Sequence, residues 1–114
     1  LDIPAEFYLE TVEIVFQKAL LAKGELMHDG RRVNPAKIRK SYLLTVEGER
    51  DDICGLGQTA AAHDLCTSLP ETMKYHYVQK GAGHYGIFSG RRWENEIYPI
   101  VRSVIAKAHG KALA

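Results

Sequence analysis

The sequence is poor in the features that mark several classes of protein. Its 114 residues contain two cysteines, Cys54 and Cys66, without a Cys-x-x-Cys pair, and no apolar run approaches the ~18 residues of a membrane span. The net charge is only +1, so no charge excess favours nucleic acid or an anionic membrane as a partner. No signal peptide opens the chain, and the simplest expectation is a cytoplasmic protein with reduced thiols.

The length fits one small domain over residues 1–114. Apolar residues near the N-terminus recur with a 3.6-residue period opposite several glutamates, which predicts an amphipathic helix. A polar loop is predicted over residues 24–33, and the apolar run at 41–46 is typical of a strand in a parallel sheet. The predicted elements are a helix at 3–21, a strand at 41–46, a helix at 57–67, a strand at 73–78 and a helix at 92–108.

The middle three predicted elements form a βαβ unit. Strands joined by a helical crossover run parallel, so the predicted fold class is α/β. Pro99 lies inside the last predicted helix, where it predicts either a bend or the end of one helix and the start of another.

A polar loop follows each predicted strand. Gly48-Glu49-Arg50-Asp51-Asp52 follows the first, and the glycine-rich segment 81–86, which contains His84, follows the second. Parallel strands direct their carboxyl ends to the same edge of a sheet, so Asp51 and His84 are expected to meet there. An acid followed by a histidine in chain order matches the last two members of a Ser/Cys–Asp–His hydrolytic triad. The sequence therefore predicts Asp51 as the acid and His84 as the base.

Each of these residues also has a structural interpretation. His84 could be a histidine of a glycine-rich surface turn, and Asp51 could favour the positive end of the following helix. Asp52 is the alternative acid. The catalytic interpretation is favoured by the pairing, because two separate loops bring both required groups to one edge in the required order.

Other candidate motifs are weaker. No serine or cysteine stands in a G-x-S-x-G or G-x-C-x-G turn, and Cys54 is interpreted as a small, partly buried thiol. The segment 55–60 matches G-x-G-x-x-A, but eight residues separate it from the predicted strand end, so a dinucleotide site is disfavoured. The five histidines are scattered. No metal and no cofactor are expected.

Four segments together resemble the C-terminal region of intracellular polyhydroxyalkanoate depolymerases: Leu1–Gln17, Leu43–Ile53, Gly57–Cys66 and Gly83–Phe88. The resemblance implies an α/β-hydrolase fold, and it implies Asp51 and His84 as the acid and base of the triad. It further implies an intact enzyme that cleaves the ester bonds of a poly(3-hydroxybutyrate)-like storage polymer with an upstream serine or cysteine nucleophile. The chain is then expected to be a C-terminal piece that is inactive alone.

The expected partners follow from this interpretation. They are the polymer or hydroxyacid oligomers, the missing N-terminal half and the surface of storage granules. The strand at 41–46 is predicted to lack a neighbour on one side, and an unpaired edge favours a homo-oligomer. The rival hypothesis is a non-catalytic module that binds granules or another protein.

Overall fold

A computed structural model of the chain describes residues 3–113, with side chains as far as residue 110. It divides the chain into two compact units, Leu1–Pro35 and Ala36–Ala114. Asp51 and His84 both lie in the second unit. The single domain over residues 1–114 stays a prediction, and each unit is described below by itself.

The helical part of the first unit consists of three segments. They are α1 (Ala5–Thr11), a π-helical segment (Val12–Gln17) and α2 (Leu20–Lys23). The sequence predicted one helix over residues 3–21. The structure interrupts it at Ala19, whose φ of 48° is left-handed, a conformation that ends a right-handed helix.

A β-hairpin occupies the region where a polar loop was predicted. Strands β1 (Met27–His28) and β2 (Arg31–Arg32) pair antiparallel. Asp29 and Gly30 connect them with φ values of 48° and 75°, as a two-residue hairpin turn requires. The prediction of a polar loop was wrong here, because the Asp29-Gly30 dipeptide is typical of a two-residue turn between paired strands.

The second unit is built around two parallel strands. A short 3₁₀ turn at Pro35–Lys37 leads to β3 (Leu43–Gly48) and, through α3 (Ala61–Leu65) and a 3₁₀ turn at Glu71–Met73, to β4 (Lys74–Gln79). Leu43 lies opposite Lys74, and Gly48 lies opposite Gln79. The α/β class and the parallel pairing are confirmed. Both strands begin and end later than predicted, and α3 covers only part of the helix predicted at 57–67, because residues 57–60 form turns.

Two small apolar clusters stabilise the second unit. Cys66, Leu69 and Met73 form one cluster, against which Tyr42 and Leu43 pack. Ala82, Ile87 and Ile97 form the other, with Val46, Tyr77, Trp93 and Val101 against it. The second cluster joins the segment after β4 to the C-terminal helix, so it fixes the base of the loop that carries His84.

The C-terminal helical region is longer than predicted and passes Pro99 without ending. After a 3₁₀ turn at Tyr85–Ile87 it comprises α4 (Gly90–Arg92), a π-helical segment (Trp93–Ile97) and α5 (Tyr98–Leu113). A proline lacks the N–H of the i→i−4 bond, and the wider π-helical turn directly before it accommodates that loss. No helix among the described residues is long and apolar enough to cross a membrane.

Candidate acid–base site

The structure brings Asp51 and His84 together. His84 Nδ1 lies 2.8 Å from Asp51 Oδ2, although the two residues are 33 positions apart in the chain. The Asp51 side chain is 2% exposed. Asp52 is exposed. Of the two candidate acids, Asp51 is therefore the one that contacts the imidazole.

Backbone amides hold the second oxygen of Asp51. Its Oδ1 accepts hydrogen bonds from the N–H groups of Ile53 and Cys54, each 2.8 Å long. Burial by itself would raise the pKa of Asp51. Hydrogen bonds from the Cys54 amide, His84 and the Ile53 amide outweigh this effect, so the pKa lies below its ordinary value of 3.8. The carboxylate is therefore ionised at neutral pH and fixed in one orientation.

The charge on Asp51 determines which nitrogen of His84 carries the proton. An ionised carboxylate can only accept hydrogen bonds, so Nδ1 of His84 must be the donor. In the neutral ring the lone pair then lies on Nε2. The His84 side chain is 30% exposed, and within residues 3–110 no hydrogen bond to Nε2 is present. Nε2 is thus available to take a proton from a hydroxyl, a thiol or water.

Two aromatic rings flank His84. The ring of Tyr85 lies 5.4 Å from it at 86°, and the ring of Phe88 lies 5.9 Å from it at 71°. Edge-to-face contacts of this kind favour one orientation of the imidazole. Both aromatic side chains are largely exposed, at 77% and 63%. They therefore give the surroundings of His84 an apolar surface.

Backbone hydrogen bonds continue beyond the strand ends and connect the two loops. The Glu49 amide donates to Gln79 O, and the Arg50 amide donates to Ala82 O, both over 2.9 Å. The glycine at position 48 allows the end of β3 to lie close to the backbone of Ala82, since a Cβ built at position 48 would lie 2.5 Å from Ala82 O. The separation of Asp51 and His84 is therefore fixed largely by the backbone.

Glu47 is a buried acid that was not among the functional residues predicted from the sequence. It is 1% exposed, and its carboxylate accepts four hydrogen bonds from three residues: the Gly57 amide at 2.9 Å, the Thr59 amide at 2.8 Å, the Thr59 hydroxyl at 2.7 Å and the Ala60 amide at 3.3 Å. Burial by itself would raise the pKa of Glu47. The four hydrogen bonds outweigh this effect and lower the pKa to about 2. The available signal was a single charged residue directly after the apolar run at 41–46.

The same bonds explain the G-x-G-x-x-A segment at residues 55–60. In a dinucleotide site the amides of such a loop would face a phosphate. Here the amides of Gly57, Thr59 and Ala60 donate to the protein's own Glu47. The motif therefore serves an internal carboxylate.

A second polar cluster includes two histidines and a threonine. His63 Nε2 and His76 Nδ1 each lie 2.7 Å from Thr45 Oγ1, and His76 Nε2 lies 3.6 Å from Glu47 Oε2. Among the described residues, no group of three His, Cys, Asp or Glu side chains could hold a metal ion. Cys54 and Cys66 are both free thiols.

The lowered pKa of Glu47 leads to a prediction about acid stability. A carboxyl group whose pKa is lower in the folded state stabilises the fold above its unfolded pKa, and this contribution is lost as pH falls through the folded pKa. The free energy of unfolding should therefore decrease as pH falls from 4.5 to about 2. Urea unfolding at a series of pH values measures it.

A pair of variants separates Glu47 from the other carboxylates in that experiment. Glu47→Gln should flatten the pH dependence, whereas Glu13→Gln should leave it nearly unchanged, because Glu13 forms an exposed ion pair with Lys18. An equally steep loss of stability in Glu47→Gln and the unsubstituted protein would contradict the role assigned to Glu47.

Fold and site together define an α/β domain with an ionised carboxylate and an imidazole at the carboxyl ends of two parallel strands. A model of the family described as PHB de-polymerase C-terminus matches residues 1–109, and the chain belongs to this family. The expected relation to polyhydroxyalkanoate metabolism is thereby confirmed.

A polymerase subunit is among the curated proteins that are similar to this chain. The poly(3-hydroxyalkanoate) polymerase subunit PhaC of Haloferax mediterranei is 26% identical over 107 residues, which are 94% of this chain and 21% of the relative. The chain thus spans about a fifth of the length of this relative. No solved structure matches the chain.

Proposed function

We propose that this domain supplies the acid and the base for hydrolysis of polyhydroxyalkanoate ester bonds, with Asp51 as the acid and His84 as the base. The observation that carries the proposal is the 2.8 Å contact between the buried carboxylate and His84 Nδ1, which leaves Nε2 to act as a base. The family of the chain supports the substrate class. The nucleophile is a serine or cysteine outside these 114 residues, on a longer protein or a second chain.

The proposed reaction proceeds through an acyl-enzyme. His84 Nε2 takes the proton of the nucleophile, which attacks the ester carbonyl, and Asp51 stabilises the imidazolium that forms. His84 then gives this proton to the departing alkoxide, so one part of the polymer leaves with a free hydroxyl. In the second half, His84 deprotonates water, which attacks the acyl-enzyme. The hydroxyacid end is released and the nucleophile recovers its proton.

A second candidate is synthesis of the polymer, which the 26% identity to a polymerase subunit favours. Asp51 and His84 would then activate a different acceptor of the acyl group. His84 would deprotonate the hydroxyl of a growing chain in place of water, and that oxygen would take the acyl group from the nucleophile. Asp51 and His84 therefore have the same acid–base role in hydrolysis and in synthesis of the polymer.

Association with storage granules in the cytoplasm is part of the same proposal. Phe7, Leu9 and Phe16 of the first unit are 61%, 65% and 77% exposed, and exposed apolar side chains of this size favour contact with a hydrophobic surface. These side chains also fit the rival hypothesis of a non-catalytic granule-binding module. Binding to granules therefore does not distinguish the two hypotheses.

The products formed by the longer protein test the proposal. With amorphous poly(3-hydroxybutyrate) granules we expect soluble hydroxyacids to appear. His84→Ala should abolish their release, whereas His28→Ala on the exposed hairpin should not. Polymer growth from a 3-hydroxyacyl thioester without acid release would favour synthesis. Granule binding without either reaction would favour the non-catalytic module.

A further inference from the structure

The segment between the acid and α3 is held at both ends by buried carboxylates. At its start the amides of Ile53 and Cys54 donate to Asp51, and at its end Gly57, Thr59 and Ala60 donate to Glu47. We propose that Glu47 is a positioning residue for the Asp51–His84 pair and acts through segment 53–60. Its importance for the reaction rests on the proposed function, but the positioning itself does not.

Packing contributes little to the placement of this segment. Ile53 and residues 55–58 are exposed, and Cys54, Thr59 and Ala60 are only partly buried. The segment contains neither a helix nor a strand. Hydrogen bonds to Glu47 in β3 and to Asp51 in the following loop are therefore its main attachments to the rest of the unit. Only Gly55 and Leu56 separate the amides that contact Asp51 from the first amide that contacts Glu47. A change in the hydrogen bonds to Glu47 should therefore also alter the hydrogen bonds to Asp51.

The charge and shape of the Glu47 carboxylate both matter for this attachment. Its two oxygens face only donors: three amides and a hydroxyl, with His76 Nε2 at 3.6 Å. Glutamine has nearly the same shape, but its NH₂ group would face one set of these donors. The end of the segment would then move to avoid two opposed donors, and the amides of Ile53 and Cys54 would lose their alignment with Asp51.

A purely structural role for Glu47 would have a different signature. Acting only as an acceptor for the amides before α3, Glu47 would contribute to the stability of the fold and leave Asp51 unaffected. The two roles therefore differ in one measurable quantity, the pKa of Asp51 in the folded protein. The titratable group that faces Asp51 is His84, and those near Glu47 are His76 and, through Thr45, His63.

The test compares Glu47→Gln with Glu71→Gln, a change at a side chain that is 91% exposed. Carbon-13 NMR of the Asp51 carboxyl group reports its titration, and proton NMR reports the Nδ1 proton that His84 shares with it. In Glu47→Gln we expect the pKa of Asp51 to rise toward 3.8 and the Nδ1 proton signal to weaken or disappear. Glu71→Gln should match the unsubstituted protein in both.

Thr59 offers a milder variant that keeps the Glu47 charge. Thr59→Val removes the 2.7 Å hydroxyl bond while the three amide bonds remain, so it should shift the Asp51 titration in the same direction by less. Thr59→Ser should restore it. A folded Glu47→Gln or Thr59→Val protein with an unchanged Asp51 titration and an unchanged Nδ1 proton would overturn the proposal. Neither readout needs substrate, so failure of the hydrolysis assay would leave this result standing.

Discussion

Replacement of Asp51 by asparagine should, under the proposed function, lower the turnover number for the polymer by about 10⁴-fold, the size of effect found for the acid of a Ser–His–Asp triad. The reason lies in how its two oxygens are used. Oδ1 accepts the amides of Ile53 and Cys54, so the oxygen of an asparagine would remain there. Its NH₂ group would then face Nδ1 of His84. The imidazole would have to accept at Nδ1 and carry its proton on Nε2, where a base needs a lone pair.

Asp52→Asn is the matched control for this prediction. It makes the same chemical change at the adjacent, exposed position, and we expect turnover to remain within about twofold, since exposed carboxylates of this kind contribute little. Steady-state kinetics of the longer protein on polymer granules measures both variants. Equal turnover in Asp51→Asn and the unsubstituted protein would exclude an acid–base role for the pair.

Gly48→Ala should disrupt the fold and the site together. The new Cβ would lie 2.5 Å from Ala82 O, 3.1 Å from Gly83 O and 3.2 Å from Ala82 C, and all three atoms belong to the backbone. The end of β3 must therefore move away from the segment that precedes His84, which breaks the Arg50–Ala82 hydrogen bond. We expect a loss of about 3 kcal/mol in the free energy of unfolding. Urea unfolding measures it.

The same variant should also weaken catalysis in whatever fraction remains folded. A displacement of about 1 Å between reacting groups costs on the order of 100-fold in rate. Gly55→Ala is the control, because a Cβ there would meet nothing within 4 Å and Gly55 has no positive φ. It should change stability by less than about 0.5 kcal/mol. Similar losses in the two variants would mean that the close approach at Gly48 is not what holds the loops together.

The meeting of Asp51 and His84 was predictable because it depends on topology. An apolar run, a helical crossover and a second strand define parallel pairing, and parallel pairing brings the two following loops to one edge. The end of β3 was not predictable in the same way. Glu47 and Gly48 resemble loop residues, yet both are paired in the sheet. The donors that allow Glu47 to be buried lie 10 to 13 positions further along the chain.

The 3.6-residue period of apolar residues was a less reliable guide in the last helix, where the number of residues per turn changes. Ile105 follows the helical spacing of the apolar residues in the last helix, but its side chain is 62% exposed. The π-helical segment at Trp93–Ile97 changes the residues per turn before Pro99, so a constant 3.6-residue period misplaces later positions.

The homo-oligomer through the edge of β3 stays a prediction, as does the cytoplasmic location.

The hydroxyl of Thr45 has one hydrogen to share between the rings of His63 and His76. If Thr45 gives it to His76 Nδ1, the neutral His76 carries its own hydrogen on Nε2, directed at the anionic Glu47. His63 must then donate to Thr45. The opposite arrangement would turn a lone pair of His76 toward a negative charge. One ionised group on β3 thereby selects the tautomer of a nearby imidazole and, through a threonine, that of a second imidazole it does not contact.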